Sequence, residues 1–394
     1  MGTFAAVMTG QGTGAISTIE VFGEGAGAII EKIFRPAGGE TLTFEAGRIL
    51  VGAVVDGGET IDQVVVGCEG ANAIAINCHG NPLIVELIME LLHKQGAELI
   101  TAEQLLAKEL VAQGSLNTIA VEARLAQVRS LTLKGTRIIL NQIGGGLNEK
   151  AAQWIEQADD VSIEQIRAEA AQILRDSQTA KLIISGCTAV ITGPPNSGKS
   201  TLLNYLCGKQ KAIVTDVKGT TRDWVSGRCQ IGPLSVELID TAGLERELAE
   251  STDDAVERAA QQKTLEFFEK ADLVLLVLDG GEHVNQFDET VLEKIADKKI
   301  LTVINKCDLP HRLDIDRLPQ ILKDGLQISA KFGTGIENLV KKIPQICGAA
   351  GFDSRSPICV SERQENLLKS LEKVPSTQEA VTIIAELLNG RLEV

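Results

Sequence analysis

Aromatic residues, paired cysteine motifs and long apolar runs are all scarce or missing in this sequence. Phe, Trp and Tyr make up 3% of its 394 residues, which leaves few surfaces on which nucleic-acid bases can stack. The eight cysteines have no Cys-x-x-Cys spacing and the four histidines are scattered, so we expect free, mostly buried thiols of a reducing compartment and no metal site built from cysteine or histidine. Apolar runs such as Leu273–Leu278 are too short to span a bilayer, and Met1–Val21 lacks the pattern of a signal peptide. These absences predict a cytoplasmic protein with no membrane segment.

The sequence also has fewer positively charged than negatively charged side chains. The chain carries 38 Lys and Arg residues against 53 Asp and Glu residues, a net charge of −15. Binding a nucleic-acid backbone needs clustered positive side chains, so this balance argues against RNA binding by the chain alone. Any RNA-linked function would take its positive charge from a partner.

The N-terminal region has the pattern of a mixed domain. The chain length and the hydrophobic content of 44% suit two or three domains, each with its own core. Short runs rich in glycine and β-branched residues predict strands at Ile16–Phe22, Ile49–Val55, Asp62–Val66 and Ala73–Cys78. The apolar period then changes to that of a helix over Leu83–Lys94, so we expect an N-terminal α+β domain.

Two helical stretches flank the middle of the chain. In the first, Ser162-Ile-Glu-Gln165 is a capping-box signal ahead of an apolar helical stripe, and Gly144–Gly146 marks a break between helices. Helical periodicity returns over Ser361–Leu392, where Glu362-Arg-Gln364 is interpreted as a solvated helix start. Because the ends of an autonomous domain usually lie close together, we expect a nucleotide-binding domain inserted into a helical domain.

The expected fold class is therefore a multidomain α/β and α protein. A P-loop GTPase (Ras-like) domain is inserted into a helical domain, and an α+β domain precedes both. The expected segments are 1–100 (N-terminal α+β domain), 101–183 (first part of the helical domain), 184–345 (GTPase domain) and 346–394 (second part of the helical domain).

A phosphate-binding loop follows a short apolar strand at residues 188–192. The segment Gly193-Pro-Pro-Asn-Ser-Gly-Lys-Ser200 leads directly into a helical stretch, which is the strand–loop–helix setting that such a loop requires. Its glycines allow backbone N–H groups to face the phosphates, and the helix N-terminus adds its positive dipole end. We expect Lys199 to reach the β- and γ-phosphates and Ser200 to ligate Mg²⁺.

Three further motifs follow in the order that a GTPase requires, each at the end of an apolar strand. Asp240-Thr-Ala-Gly243 is expected to hold Mg²⁺ through water and to offer the Gly243 N–H to the γ-phosphate. Asn305-Lys-Cys-Asp308 is expected to select guanine, because the Asp308 carboxylate accepts hydrogen bonds from N1–H and the 2-amino group. The backbone of Ser329-Ala-Lys331 is expected to meet guanine O6. Open α/β sheets bind ligands at strand C-terminal ends, so the motifs predict one GTP site.

Between the phosphate loop and Asp240, the segment Thr215–Asp223 has the Gly, Thr and Asp content of a mobile loop. Thr221 is expected to supply the second Mg²⁺ hydroxyl, which is released once the γ-phosphate leaves. The residues predicted to contact GTP or GDP are Asn196, Ser197, Gly198, Lys199, Ser200, Thr201, Thr215, Thr220, Thr221, Asp240, Thr241, Ala242, Gly243, Asn305, Lys306, Asp308, Ser329, Ala330 and Lys331.

The group that orients the attacking water is not evident. Leu244 stands where many GTPases carry a Gln that orients this water. Three sources of the catalytic group stay open: a bound cation, a carboxylate within Glu245–Asp254, or a partner.

These motifs resemble those of the MnmE (TrmE) family of tRNA-modification GTPases over nearly the whole chain. The resemblance is strongest in Gly193–Ser200, Ala212–Asp223 and Asp240–Leu244, and it reaches the N-terminal domain through Cys78-His-Gly-Asn-Pro82. It implies a homodimer formed by the N-terminal domain. It also implies modification of the tRNA wobble uridine with an FAD-containing partner, MnmG (GidA), using a one-carbon unit from a reduced folate bound at that domain. An acidic chain that leaves tRNA contact to its partner fits the net charge.

The resemblance also implies a potassium ion beside the phosphates. Its ligands would be the Asn196 side chain, the carbonyl groups of Thr215 and Val217, and Thr220. A cation there replaces an arginine finger electrostatically, which suits the Leu at position 244. The residues expected to act in hydrolysis are Lys199, Thr221, Asp240, Gly243 and Glu250.

Three departures separate this chain from the family's pattern. The sequence ends at Asn389-Gly-Arg-Leu-Glu-Val394, without the family's Cys-x-Gly-Lys motif. Glu20 aligns with an Arg near the folate, and Thr252 aligns with the catalytic Glu, which leaves Glu250 and Asp253 as its neighbours. We therefore expect weak or absent folate binding beside intact GTP binding. Two alternatives stay open: a GTPase switch in RNA or ribosome assembly without folate chemistry, and a scaffold that binds GTP but barely hydrolyses it.

Overall fold

A computed structural model describes most of the chain. The described residues are 2–10, 12–38, 42–114, 116–158, 161–209, 225–241, 266–283, 292, 295 and 297–392. The chain divides into two compact units, Met1–Val121 with Arg391–Val394 and Glu122–Gly390. No helix within the described residues is long and apolar enough to cross a membrane.

The first unit is built on a seven-stranded sheet. Its strands are β1 (Phe4–Val7), β2 (Ile16–Phe22), β3 (Phe34–Pro36), β4 (Ile49–Asp56), β5 (Glu59–Gly70), β6 (Ala73–His79) and β7 (Glu98–Leu99). They lie in the order β3-β4-β5-β6-β2-β1-β7, and neighbours are antiparallel except the parallel pair β1 and β7. The four strands expected from the sequence are confirmed, and β5 extends well beyond the expected Asp62–Val66.

Alternating burial along the strands forms the core of this unit. Its helices are α1 (Ala26–Ile33), α2 (Pro82–Lys94) and α3 (Ala102–Gln113). Ile19 and Val21 of β2 lie in one apolar cluster with Ile30 of α1 and Leu92 of α2. The helix expected at residues 83–94 is confirmed as α2, which starts where the Asn81 side chain accepts a hydrogen bond from the backbone of the second helical residue.

Helix α3 belongs to the first unit, although the sequence-based division placed residues from 101 onward in the helical domain. Leu105 and Ala107 of α3 are buried, and the helix packs on β1. The Lys108 ammonium lies 4.2 Å from the centre of the Phe4 ring. The apolar side of α3 thus packs against the N-terminal sheet, and the first unit continues to Val121.

The helices of the second unit form one body from two stretches of sequence. They are α4 (Thr118–Ala126, of which the last part lies in this unit), α5 (Leu133–Gly144), α6 (Gly146–Glu156), α7 (Ile163–Ser185), α8 (Lys199–Lys209), α9 (Ile336–Ile346), α10 (Glu362–Leu371) and α11 (Thr377–Asn389), with 3-10 turns at Gln127–Arg129, Ile315–Arg317 and Gln320–Leu322. The Ser162 cap and the break at Gly144–Gly146 are confirmed. Helix α10 packs on α7 and α11 packs on α6, so the chain before and after the GTPase segment joins in one helical body.

A buried ion pair ties this body together. Arg363 at the start of α10 donates to both carboxylate oxygens of Glu122 at 2.8 Å, and Gln364 donates to the same carboxylate. Arg363 also donates to the carbonyl oxygens of Glu386 and Leu387 near the end of α11. The interpretation of residues 362–364 as a solvated helix start was therefore wrong, because two of the three side chains are buried against a charge that they satisfy.

A six-stranded sheet forms the core of the inserted segment. Its strands are β8 (Cys187–Thr192), β9 (Val225–Ile231), β10 (Leu234–Asp240), β11 (Leu273–Asp279), β12 (Ile300–Asn305) and β13 (Leu326–Gln327). Their order is β13-β12-β11-β8-β10-β9, and all are parallel except β9 at one edge. The strand run Leu273–Asp279 is buried on both faces, as expected for a central parallel strand. This confirms the expected P-loop α/β fold class.

Candidate nucleotide-binding site

The phosphate loop follows directly from β8 and is shaped by close backbone approaches. Gly193 has a φ of 144°, and a Cβ at this position would overlap the Val277 carbonyl oxygen of β11. Gly198 has a φ of 95°, and a Cβ there would overlap the Asn305 side-chain amide. Asn196 also adopts a left-handed conformation, with a φ of 61°. Glycine is required at the first two positions, which explains the loop sequence.

Lys199 lies at the centre of this loop and is 3% exposed. Its ammonium donates to the carbonyl oxygens of Gly193 at 2.6 Å and Pro194 at 3.0 Å. Because α8 begins at Lys199, the N-terminal end of that helix faces the same space. A positive charge and a helix N-terminus converge here, and together they suit an anion with several phosphate oxygens.

Two oxygen ligands suited to Mg²⁺ meet beside the loop. The Ser200 hydroxyl donates to a carboxylate oxygen of Asp240 at 2.5 Å, although forty residues separate them. Asp240 ends β10, and the next residue, Thr241, is tied to β8 because its backbone N–H and its hydroxyl both donate to the Ile191 carbonyl oxygen. A hydroxyl beside a carboxylate is a hard oxygen donor set, so these residues fit a magnesium ion.

Asn305 joins three of the predicted motifs. Its side-chain amide donates to the Ser197 carbonyl oxygen of the phosphate loop at 2.8 Å. Its side-chain oxygen accepts from the Ala330 N–H at 2.9 Å. Asn305 is 3% exposed, so the bonds are shielded from water. The phosphate loop and the two loops predicted to bind guanine are thus held as one assembly.

Asp279 belongs to this assembly and was missed by sequence reasoning. It ends β11 at the same sheet edge, and its carboxylate lies 2.6 Å from the Lys306 ammonium. Its other oxygen accepts from the Gly281 N–H at 2.9 Å. Lys306 has a φ of 62°, so the ion pair stabilises an uncommon backbone conformation. The available signal was the position of Asp279 at the end of the most apolar strand of the sheet.

The residues predicted to bind guanine lie together beyond β12. Asp308 is exposed, and the preceding Cys307 N–H donates to the Ile328 carbonyl oxygen at 3.0 Å. Ser329 and Ala330 are buried, whereas Lys331 is exposed and lies over the Phe332 ring. The sequence predicted that Ser329-Ala-Lys331 ends a strand. In the structure that strand, β13, covers only Leu326–Gln327, and Ser329 lies beyond it in an isolated bridge with Thr334.

The described part of the site also contains one unsatisfied polar group. The Ser197 hydroxyl is fully buried and has no hydrogen-bond partner among the described residues. Such groups are rare in native structures, and a bound ligand is one way to satisfy them. Asn196 and Thr201 are exposed at the surface of the loop. The other predicted residues lie outside the described residues: Thr215, Val217, Thr220, Thr221, Ala242, Gly243 and Glu250, as do Leu244, Thr252 and Asp253.

The first unit contains a separate group of carboxylates. Glu20 of β2 and Glu109 of α3 share a hydrogen bond, and Glu69 adds negative charge near them. Burial raises the pKa of the Glu109 carboxyl to about 8, with further contributions from the Glu20 hydrogen bond and from the charges of Glu20 and Glu69. The sequence departure at Glu20 thus lies beside a carboxyl group whose pKa is raised, a pairing that no motif predicted.

A second polar pair joins Asp62 of β5 to His79 at the end of β6. The Asp62 carboxylate, 8% exposed, accepts from the His79 ring nitrogen Nδ1 at 2.7 Å and from the His79 backbone N–H at 2.8 Å. It also accepts from the Gln63 N–H. Because a carboxylate can only accept, the proton of this bond lies on Nδ1 and leaves Nε2 facing the exposed side.

Comparison with known proteins gives two matched regions. Residues 3–104 match the family described as GTP-binding protein TrmE N-terminus, and residues 188–306 match the family described as 50S ribosome-binding GTPase. Among curated proteins, the tRNA modification GTPase MnmE of Alkaliphilus metalliredigens is 30% identical over 96% of this chain and 89% of its own length. The MnmE proteins of Acetivibrio thermocellus and Alkaliphilus oremlandii are 30% and 29% identical and are covered over 88% and 87% of their lengths.

Proposed function

The chain belongs to the MnmE family of tRNA modification GTPases, and we propose that it hydrolyses GTP during modification of the tRNA wobble uridine. That the chain is a GTP-hydrolysing enzyme is established by the family and by its GTPase region. The observation that carries the proposed role is the pairing in one chain of a TrmE-type N-terminal region with a GTPase region whose loops are tied together through Asn305. The curated relatives that match nearly the whole chain are tRNA modification GTPases.

We propose specific functions for the residues of the phosphate site. Lys199 would leave the Gly193 and Pro194 carbonyl oxygens and bind the β- and γ-phosphates, while Ser200 and Asp240 would hold Mg²⁺. A magnesium ion held by these residues would neutralise negative charge that develops on the phosphates during phosphoryl transfer. Thr221 completes the proposed magnesium site, and Gly243 is proposed to bind the γ-phosphate.

For the base, we propose that Asp308 accepts from guanine N1–H and the 2-amino group. Its exposed position at the open end of the site leaves the carboxylate accessible to a base. Lys306, positioned by Asp279, would lie beside the nucleotide, and the backbone of Ser329-Ala-Lys331 would face guanine O6. The ion pair supports this arrangement because it holds Lys306 next to the loop.

We also propose a potassium ion as the substitute for an arginine finger. Asn196, with its left-handed backbone at the loop surface, would contribute its side-chain oxygen, with Thr215, Val217 and Thr220 as the other ligands. Glu250 is the proposed carboxylate for the attacking water. GTP turnover should then be faster in K⁺ than in Na⁺, and Asn196→Ala should abolish the difference while leaving GDP binding intact. Equal turnover of the unmodified enzyme in both salts would exclude the potassium site.

We propose that the chain forms a homodimer through residues 1–100. Three large apolar side chains are exposed on the strands β4 and β5: Ile49 at 70%, Val51 at 61% and Val65 at 40%. Val51 and Val65 are register partners, so they form one patch. Exposed apolar patches of this kind are common at protein interfaces. Val51→Asp with Val65→Asp should shift the molecular mass in analytical ultracentrifugation from dimer to monomer.

The proposed partner in catalysis is an FAD-containing MnmG-type protein that contacts tRNA. A direct test combines purified chain, this partner, tRNA, GTP and a reduced folate, and follows the wobble uridine by nucleoside mass spectrometry. Carboxymethylaminomethyl-type modification that requires GTP supports the proposal. GTP hydrolysis by the same sample without any modified uridine would contradict it.

A second candidate function is a GTPase switch without folate chemistry. The carboxylates of Glu20 and Glu69 favour it, because the family resemblance implies an Arg at position 20 for a folate's anionic glutamate tail, and negative charge lies there instead. Like charges about 4 Å apart repel by about 4 kcal/mol at an effective dielectric constant near 20, before solvent relaxation. Calorimetry with a reduced folate separates the candidates: micromolar binding restores the full modification function, and no binding favours the switch.

A further inference from the structure

Helix α5 is hydrogen-bonded to both polypeptide connections of the GTPase domain. At its start, Leu131 N–H donates to the Ile184 carbonyl oxygen and the Thr132 hydroxyl donates to the Ile183 carbonyl oxygen, both at 2.7 Å. Ile183 and Ile184 lie in the last turn of α7, which leads through Gly186 into β8. The outgoing connection to the GTPase domain is therefore fastened to the N-terminal end of α5.

The returning connection is fastened to the other end of the same helix. The Asn141 amide donates to the Arg355 carbonyl oxygen at 3.0 Å. The fully buried Gln142 donates to the Ser356 carbonyl oxygen at 3.1 Å and accepts from the Ile358 N–H at 3.2 Å. Residues 355–358 lie between α9 and α10. Helix α5 is thus hydrogen-bonded to the chain on both sides of the GTPase domain.

The opposite side of α5 is exposed and apolar. Leu133, Arg137 and Leu140 follow the i, i+4, i+7 spacing of one helix face, and the two leucines are 71% and 47% exposed. The adjacent 3-10 turn adds Val128, 77% exposed. We call these four residues, with Arg129 and Lys134, the α5 face. Exposed aliphatic groups beside arginine are typical of the centre of a protein interface.

The α5 face is positive in a chain that is otherwise strongly acidic. No Asp or Glu occurs between Glu122 and Glu149, and the only longer acid-free stretch of this sequence contains the phosphate loop. The nearby Asp353 is paired with Arg355 at 3.3 Å, and its pKa is lowered by hydrogen bonds from Arg355 and by the charge of Lys134. The local charge therefore stays positive, which complements a carboxylate-bearing surface.

We propose that the α5 face is the docking site of a protein partner that presents carboxylates around an apolar centre, and that docking acts on GTP turnover through both connections. This rests on the proposed function, in which that partner is the FAD-containing subunit. RNA fits the face less well, because residues 123–148 contain no aromatic side chain for base stacking and the aliphatic groups have no counterpart on a phosphate backbone.

The test measures binding of the purified full chain to the purified FAD-containing subunit by calorimetry. Leu133→Asp with Arg137→Glu should weaken this binding by about 10- to 100-fold, because an apolar contact and a charge contact are both reversed. A control chain with Val111→Asp and Lys341→Glu carries the same charge change on exposed positions of α3 and α9 and should bind like the unmodified chain. GDP affinity of each variant reports on folding.

A second variant addresses the coupling. Asn141→Ala removes the bond to Arg355 while leaving the α5 face intact. It should bind the FAD-containing subunit normally but show a reduced change in GTP turnover at saturating subunit. An unreduced response would overturn the coupling through α5.

The outcomes separate this inference from the proposed function. If the unmodified chain binds the subunit and the α5-face variant binds equally well, the docking site is wrong and the proposed function stands. If the unmodified chain does not bind the subunit, both fail. The last experiment titrates each chain with tRNA alone. If the unmodified chain binds tRNA and the α5-face variant does not, the face binds RNA and the protein docking site is wrong.

Discussion

The nucleotide site and the carboxylates of the first unit are built in opposite ways. The nucleotide site gathers loops that leave parallel strands at one sheet edge, so its members are set by strand order and loop spacing. The pair Glu20 and Glu109 instead joins a strand and a helix far apart in sequence, and neither lies in a motif. A site carried by backbone loops leaves a readable pattern in the sequence, whereas a site carried by two side chains does not.

The largest effect on activity is expected from a substitution at the centre of the phosphate loop. Lys199→Ala should lower kcat/KM for GTP by about 100-fold or more, because we propose that the ammonium stabilises charge that develops on the phosphates. Steady-state phosphate release measures the effect. Lys341→Ala on the exposed side of α9 is the control and should behave as the unmodified enzyme. A similar loss in the control, or none at Lys199, would contradict the assignment.

A smaller effect, mainly on nucleotide affinity, is expected from a substitution of the residue predicted to bind guanine. Asp308→Asn should weaken GTP and GDP binding by about 1.5–3 kcal/mol, the usual contribution of a hydrogen bond to a charged group. Because the phosphate loop is untouched, inorganic phosphate release at saturating GTP should change less than affinity does. Fluorescence titration with GDP, GTP and ATP gives the comparison. Equal affinity of the unmodified chain for ATP and GTP would show that guanine is not selected at Asp308.

The third effect is confined to the first unit. Asp62→Asn replaces an acceptor-only carboxylate, so donors from Gln63 and His79 lose partners at a cost of about 1–3 kcal/mol in stability. Hydrogen exchange measured by mass spectrometry should show faster exchange in β5 and β6, with GDP affinity unchanged. Asp56→Asn, at an exposed and weakly paired site, is the matched control. Loss of GDP binding in the Asp62 variant would mean that the two regions are not separable.

The smallest effect is a pH dependence at the carboxylate pair. The pKa of Glu109 is raised from its ordinary value of 4.5 to about 8, so the folded unit holds a proton that the unfolded chain releases. Stability from this group is complete below pH 4.5, declines as the pH rises to about 8 and stays flat above that. Solvent screening of this half-buried side chain keeps the decline smaller than the Asp62 effect.

Glu109→Gln should remove that decline and leave the first unit more stable than the unmodified protein above pH 8. Urea unfolding at several pH values between 4 and 9 measures it. Glu90→Gln, at an exposed position of α2, is the control and should keep the decline. An unmodified protein whose first unit gains stability over this range would contradict the raised pKa of Glu109.

Sequence reasoning predicted the order of the GTPase motifs and the strands that carry them, because hydrophobic period and glycine placement are local properties. It also predicted that two strands of the first unit begin at Ile16 and Ala73. It missed Asp279, since an acidic residue after an apolar strand looks like an ordinary strand end until Lys306 is placed beside it. It also took Arg363 for a solvated residue, because its partner Glu122 lies more than two hundred residues earlier. Contacts across such separations are set by tertiary packing alone.

The amide of Asn305 has a consequence for how nucleotide preference can change over time. Since one side chain braces both the phosphate loop and the backbone at Ala330, substitutions that remodel the base pocket also disturb the phosphate cradle. Paired substitutions across these loops should therefore be strongly non-additive. A lineage drifting toward another purine would have to pass through intermediates that hold triphosphate poorly. The two hydrogen bonds of Asn305 therefore favour retention of guanine specificity.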